Sequence, residues 1–345
     1  MKSSNLISRR NFIGKAAMTA GLTTIGSDAI FGQPSGINEQ PDRLPREVWI
    51  ATASQQGISA ETPEKKAQAM LDLITKSLIY QPDVICLPEV FMFAGVRNKP
   101  KLSLQEEASL SGELLKEFTG FARANHCYLI CPVFTHENGK TYNAAVVIDR
   151  QGNRMGEYRK MYLPDDEVKM GLTSGPLQPP VFNADFGIFG IQICYDVNWN
   201  DGWQALRQQG AEIVFWPSAY AGGQMINAKA WQNKYVVVSS TGEISKICDV
   251  SGEVIRQTGI WDRNLICAPV NLEKAFLHTW PVVLQFDAIR AKYGRKVRIT
   301  NFHEEQWSIL ESLSPDVRVK DILAEFEIRT HEQLIHDSEK KQIRT

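Results

Sequence analysis

Three residues of complementary chemistry each close a short, strand-like run. Glu89 follows Asp83-Val84-Ile85-Cys86-Leu87-Pro88, Lys160 follows the hairpin-like stretch Arg154 to Tyr158 and Arg159, and Cys194 ends the apolar run Phe186 to Ile193. Dense apolar runs of this length read as buried strands. In an open α/β sheet, functional residues collect at the carboxyl ends of such strands. A cysteine at a strand-to-helix elbow lies near free backbone N–H groups, which lower a thiol pKa and can hold an oxyanion. A thiol, a carboxylate and an ammonium together support acyl transfer through a thioester. The cysteine attacks a carbonyl carbon, and the carboxylate takes the thiol proton and returns it to the leaving amine. The ammonium and the N–H of Tyr195 hold the oxyanion, and water then releases the acid. Each residue alone has a plainer reading. Cys194 could be a packed structural thiol, Glu89 a strand-end ion pair and Lys160 a solvated neighbour of Arg159. The set requires three coincidences at once, which favours chemistry.

The elements that must position these residues follow from periodicity. Glu47 to Ala53 reads as a first strand. A helix follows, with Thr62 as N-cap, Pro63 at its first position and Ala67, Met70, Leu71, Ile74 and Leu78 on one apolar face. A second helix is expected over Gly112 to Ala124 with Ser111 as its cap, then a strand from Tyr128 to Phe134 and a hairpin turning at Asp149 to Asn153. Asn198 to Gly202 reads as a loop, Trp203 to Gln209 as a helix and Glu212 to Trp216 as a strand. Two internal echoes stand out. Asp83 to Pro88 matches Glu212 to Pro217 (acid, four apolar residues, proline), and Ile148 to Gly152 matches Cys248 to Gly252. The pattern predicts an α/β core with approximate two-fold internal repetition, its strands buried on both faces.

The chain has 345 residues, is 43% hydrophobic and 22% charged, and carries a net charge of −1. These values are ordinary for a globular protein and point away from nucleic acid or an anionic membrane as partner. No apolar run reaches bilayer-spanning length. Ser8-Arg9-Arg10-Asn11-Phe12-Ile13, followed by the mildly apolar Ala16 to Gly26, is similar to a twin-arginine export signal. The expected organisation is a signal over 1–32, a linker over 33–45, a catalytic domain over 46–275 and a C-terminal extension over 276–345. Val317 to Ser338 reads as one charged helix in that extension, placed to meet a partner subunit or the chain's own domain. The expected location is periplasmic or extracellular, by the bacterial twin-arginine route. Six cysteines are present (Cys86, Cys127, Cys131, Cys194, Cys248 and Cys267), several in apolar strands, with no spacing that reads as a zinc site.

Leu87-Pro88-Glu89, Tyr158-Arg159-Lys160 with Leu163-Pro164, and Ile193-Cys194-Tyr195-Asp196 with Trp199 together resemble the nitrilase, or carbon–nitrogen hydrolase, superfamily. The resemblance covers Val48 to Val270. It implies an α/β fold, a four-layer α-β-β-α sandwich, with a homodimer or larger even homo-oligomer and no metal or organic cofactor. It implies Glu89 as general base, Lys160 as oxyanion-side cation, Cys194 as nucleophile and Glu167 as a second, positioning glutamate. It places Ser218, Ala219 and Tyr220 on the acyl pocket, with Tyr195 and Trp199 as substrate-binding walls, and gives Asn233 a place where helix and strand meet. Many members continue the cysteine motif with Pro-Glu, where this chain has Asn200-Asp201. Tyr195-Asp196 after the cysteine favours a small-molecule linear amide or N-carbamoyl substrate. Nitrile hydrolysis, N-acyl transfer or a non-catalytic secreted binding module are the alternatives. The first two use the same three residues; the last has no need of them.

Overall fold

The computed structural model describes residues 43–342, so the twin-arginine stretch lies outside the described residues. The first half of the catalytic region alternates β1 (Glu47–Ala53), α1 (Pro63–Thr75), β2 (Val84–Cys86), α2 (Leu104–Asn125), β3 (Tyr128–Glu137), β4 (Lys140–Ile148), β5 (Arg154–Arg159) and the short α3 (Asp165–Met170). The second half runs β6 (Val181–Ala184), β7 (Gly187–Ile191), α4 (Asp201–Gln208), β8 (Ile213–Ser218), α5 (Gln224–Asn233), β9 (Val236–Thr241), β10 (Lys246–Cys248), β11 (Val254–Gln257) and β12 (Leu265–Asn271).

Local chemistry sets the helix starts. Thr62 caps α1, its hydroxyl accepting from the Lys65 N–H at 3.4 Å, with Pro63 at the first helical position. α2 begins eight residues before the expected Gly112. The sequence Ser103-Leu104-Gln105-Glu106 forms a reciprocal capping box: Ser103 Oγ accepts from Glu106 N at 3.3 Å, and Glu106 Oε2 accepts from Ser103 N at 2.7 Å. Ser111, expected as the cap, is buried within the helix and donates to the Glu107 carbonyl at 2.8 Å. α4 likewise begins earlier than expected, at Asp201.

The strands form two six-stranded sheets, ordered β12-β1-β2-β3-β4-β5 and β6-β7-β8-β9-β10-β11. Read in those orders, the pairings agree step for step: antiparallel, parallel, parallel, antiparallel, antiparallel. The two sequence echoes fall on equivalent elements. Asp83 to Pro88 carries β2 and Glu212 to Pro217 carries β8; the other pair are the β4–β5 and β10–β11 turns, each with a register shift beside it. The two-fold repetition is therefore a property of the fold.

Side-chain alternation assigns the layers. Ile50, Val84, Cys86 and Ile130 of one sheet share a core with Phe189, Ile213, Phe215 and Val236 of the other. Their chain neighbours Ala51, Ile85 and Leu129 pack instead against Met70 and Ile74 of α1 and Phe118 of α2. Val214, Trp216 and Val237 pack against Trp203 and Leu206 of α4 and Ile226 of α5. The result is helices, sheet, sheet, helices. Buried hydroxyls bond the sheets across their middle: Thr52 Oγ1 donates to Ser239 O at 2.7 Å, and Ser240 Oγ donates to Ala53 O at 2.7 Å.

The C-terminal region departs from expectation. It holds a third sheet, β13 (Lys274–His278), β14 (Val297–Phe302) and β15 (Trp307–Ser312), together with α6 (Thr279–Val282), α7 (Phe286–Tyr293), α8 (Val319–Glu325) and α9 (His331–Lys341). The single helix expected from Val317 to Ser338 is two. Glu327 adopts φ +50°, and Thr330 opens a fresh capping box with Gln333, so the backbone turns between α8 and α9. Leu277, Phe286, Ile289, Leu310 and Ile322 give this region its own small core. Among the described residues no helix is long and apolar enough to cross a membrane.

Candidate active site

Glu89 lies just past β2, Lys160 one residue past β5, Cys194 just past β7, Ala219 one residue past β8 and Glu167 on α3. The fold gathers these strand ends at one cleft of about 460 Å³, lined by Glu89, Lys160, Glu167, Cys194 and Ala219. Two other cavities, of about 480 and 920 Å³, lie against the C-terminal region and contain none of these residues.

Lys160 is 1% exposed and Glu89 6% exposed, so their charges must be met inside the protein. Lys160 Nζ donates to Glu89 Oε1 at 2.9 Å and to Glu167 Oε1 at 2.8 Å. Asn143 Nδ2 donates to the same two oxygens, at 2.8 and 3.0 Å. The remaining Glu89 oxygen, Oε2, accepts from the Ala219 N–H at 2.8 Å. Glu89 is thus held by an ammonium, an amide side chain and a backbone donor from the opposite sheet. Burial pulls the Lys160 ammonium toward neutrality. The negative charges of Glu89, the Cys194 thiolate form and Glu167 overcome that pull and hold it above the usual lysine range. Burial raises Glu167 above the usual carboxylate range, against the pull of Lys160.

Cys194 adopts φ +45°, a left-handed conformation rarely taken by non-glycine residues. Asp196 holds the elbow in that shape. This carboxylate is fully buried and accepts from Ile193 N at 2.8 Å, Tyr162 N at 2.8 Å and the Tyr158 hydroxyl at 2.7 Å. On the other side, Trp216 Nε1 donates to the Cys194 carbonyl at 3.1 Å. The thiol is pushed up to about 12, first by burial and then by the Glu89 charge; Lys160, the Ala219 amide and the Ser218 hydroxyl pull it down. A thiol so placed is protonated at neutral pH and needs a base to become a nucleophile.

Of the residues expected to bind substrate, Ala219 lines the cleft. Gly242 also lines it, and a Cβ there would collide with the Ala219 carbonyl. Ser218 is fully buried; its hydroxyl acts on the Cys194 thiol and accepts from Tyr220 N at 3.1 Å. Tyr220 packs edge-on against Trp216 at 5.5 Å. Trp199 stacks on Tyr162 at 4.0 Å, and the half-exposed Tyr195 meets Trp199 edge-on at 5.2 Å, so these two form an aromatic group beside the elbow. Asn233 donates to the Lys229 carbonyl at 2.8 Å and ends α5, away from the cleft. Where the family motif has Pro-Glu, Asn200 Oδ1 accepts from Lys229 Nζ at 2.6 Å and Asp201 accepts from the Tyr162 hydroxyl. All six cysteines are free and buried.

Sequence reasoning missed Asn143 and the bonding of Asp196. The signal for Asn143 was faint: one amide inside the otherwise apolar β4 run. The signal for Asp196 was an acid directly after the elbow, which no spacing rule assigns to a partner.

Residues 50–275 match the family model described as carbon-nitrogen hydrolase. A deaminated glutathione amidase from Synechocystis is 28% identical over 195 residues, covering 51% of this chain and 70% of the relative. The human deaminated glutathione amidase is 30% identical over 189 residues, covering 50% of this chain and 56% of its own. An amidase from Nesterenkonia sp. superposes with a TM-score of 0.58 at 20% identity, over 66% of this chain and 91% of that one. A carbon-nitrogen hydrolase from Helicobacter pylori superposes with a TM-score of 0.57 at 17% identity, over 72% and 94%. With the family model spanning the two-sheet core and every strand end that meets at the cleft, the chain belongs to the carbon–nitrogen hydrolase family.

Proposed function

We propose that this hydrolase cleaves a linear amide or N-carbamoyl group, with Cys194 as nucleophile, Glu89 as general base and acid, and Lys160 as oxyanion-side cation. The observation that carries the reading is the shared hydrogen-bond network of Glu89 and Lys160 in the cleft that Cys194 lines. Glu89 takes the Cys194 proton as the sulfur bonds to the substrate carbonyl carbon. An ammonium has three donors and Lys160 commits two of them to Glu89 and Glu167, so one is free for the oxyanion, beside the Tyr195 N–H. Glu89 then gives its proton to the substrate nitrogen, the C–N bond breaks, and ammonia or an amine leaves. Water, deprotonated by Glu89, attacks the thioester; the C–S bond breaks and the thiol regains its proton. Glu167 and Asn143 hold Lys160 and Glu89 in position and take no proton. A Nesterenkonia amidase variant carries the acetamide moiety of fluoroacetamide covalently on its active-site cysteine, which supports a nucleophilic cysteine in this fold.

The test is ammonia release by the purified protein from a panel of amides, ureido acids and nitriles. Release from nitriles alone would sink the amide reading. Glu89→Gln is expected to lower turnover by about 10²- to 10⁴-fold, the usual size of a lost general base. The same variant should make the thiol more acidic, because the Glu89 charge is one of the two causes that hold it up. The pH dependence of Cys194 alkylation reads this directly; a midpoint that stays put would remove Glu89 from contact with the thiol.

We further propose export by the twin-arginine route and assembly as a homodimer or larger even oligomer. The paired Arg9-Arg10 and the apolar stretch after them support the first; family resemblance supports the second. Replacing both arginines with lysine should retain the protein in the bacterial cytoplasm, as read by cell fractionation. Unchanged export would end that proposal.

A further inference from the structure

A second lysine lines the cleft and has no part in the mechanism above. Lys66, on α1, is fully buried. Its ammonium donates to the Ile58 carbonyl, and among the described residues no carboxylate lies within ion-pair distance of it. One of its three donors is therefore used, and its charge has no counter-charge. It lines the same cleft as Cys194, Glu89 and Lys160. Gly95, at φ +73°, lies close by; a Cβ there would stand 3.0 Å from the Ile58 carbonyl that Lys66 binds and 3.7 Å from Lys66 Nζ, so the absent side chain keeps the space beside the ammonium free of side-chain atoms. The same cleft is lined by a second residue with a polar atom that has nothing to bind. Gln55 is 8% exposed and lines the cleft; its Nε2 donates to the Glu89 carbonyl at 3.4 Å, while its Oε1 has no partner. Buried polar atoms in folded proteins are normally paired, so an orphan acceptor and an uncompensated cation on one wall of a cleft mark ligand contacts. The other charges of the cleft do not serve Lys66. Glu89 and Glu167 are committed to Lys160, and Asp166 makes no ion pair with it.

We infer that the Gln55–Lys66–Gly95 wall is a specificity subsite for a carboxylate on the substrate, with Lys66 as its cation and Gln55 Oε1 accepting a substrate N–H. This deepens the amide-hydrolase reading and rests on it: the substrate is an amide-bearing carboxylic acid rather than a neutral amide. Burial lowers the lysine to about 8, and a bound carboxylate would reverse that shift by supplying the missing charge. Lys66 touches no reacting atom in this scheme; it selects which amides dwell in the cleft.

The experiment compares ammonia release from succinamate and from butyramide, which share a four-carbon backbone and end in a carboxylate and a methyl respectively. The wild-type protein is expected to favour succinamate by about 10- to 100-fold in kcat/KM, the range of a charge-assisted hydrogen bond. Lys66→Met should erase that preference through a raised KM for succinamate. Equal turnover of the two substrates by wild type would overturn the assignment even if the variant failed to fold. A Lys66→Met variant that lost both activities equally would make Lys66 a clamp on the Ile58 loop and would also overturn it. Ammonia from neither substrate nor any other amide would instead strike the amide-hydrolase reading itself.

Discussion

Cys194→Ser lowers ammonia release from amide substrates by at least about 10⁴-fold while leaving the fold intact. The magnitude follows from losing the nucleophile proposed above, which no neighbour can replace. The other five cysteines are buried, and burial is the leading cause that holds each of them above the ordinary thiol range. Serine fits the site, because the elbow is held by the backbone bonds of Asp196 and Trp216 and not by the sulfur. A serine hydroxyl is far less acidic than a thiol, so the Glu89 carboxylate cannot generate a useful alkoxide from it. Ammonia release in single-turnover and steady-state assays, beside a thermal melt, checks the claim. A variant with full activity would require a different nucleophile.

Asp196→Asn carries the second large effect, on stability and turnover together. Both carboxylate oxygens of Asp196 face backbone donors: Oδ2 meets Ile193 N and Oδ1 meets Tyr162 N. An asparagine must turn its NH₂ toward one of them, and no flip of the amide avoids a donor facing a donor. One buried N–H is then unsatisfied, which costs about 1–3 kcal/mol. The Cys194 elbow, held at φ +45° by this bonding, would relax, and misplacement of a nucleophile by about 1 Å costs about 10²-fold in rate. The stability loss depends on pH. Burial pushes the Asp196 carboxyl from 3.8 up to about 7, so the folded protein binds this proton more tightly than the unfolded chain does. That contribution is complete below pH 3.8 and is lost as the pH rises through about 7. Asparagine does not titrate, so the gap between wild type and variant should narrow from pH 5 to pH 8 in denaturant melts. A stability loss with kcat unchanged would show that Asp196 supports the fold without positioning Cys194.

Much of the fold was legible because its signals are local. β1 lies where the Glu47 to Ala53 pattern placed it, and Thr62 caps α1 as its position before Pro63 requires. The two echoes marked a repetition that the sheet pairings carry through both halves. The errors were of two kinds. The start of α2 was misplaced because two serines each fit a cap, and only the one with a glutamate three residues on closes a box. The C-terminal sheet was overlooked because β14 and β15 alternate polar and apolar residues weakly, and their apolar faces meet only when Leu310 and Ile299 come together with α7 and α8.

The site divides in the same way. Residue type and position after a strand were enough to single out Glu89, Lys160 and Cys194, because the chemistry of each is written in its side chain and strand ends converge in this class of fold; Glu167 was singled out by the family resemblance alone. What no linear reading could supply is which groups satisfy which others. Glu89 is held by a backbone N–H from the opposite sheet, Asn143 bridges two acids, and Asp196 faces inward to the elbow. Lys66, which the linear chain does not single out, becomes an uncompensated ammonium at the cleft only when α1 packs near Gly95. Side-chain identity sets what a group can do; burial and partners, which depend on residues far away in the chain, decide whether it is charged, satisfied or left to meet a ligand.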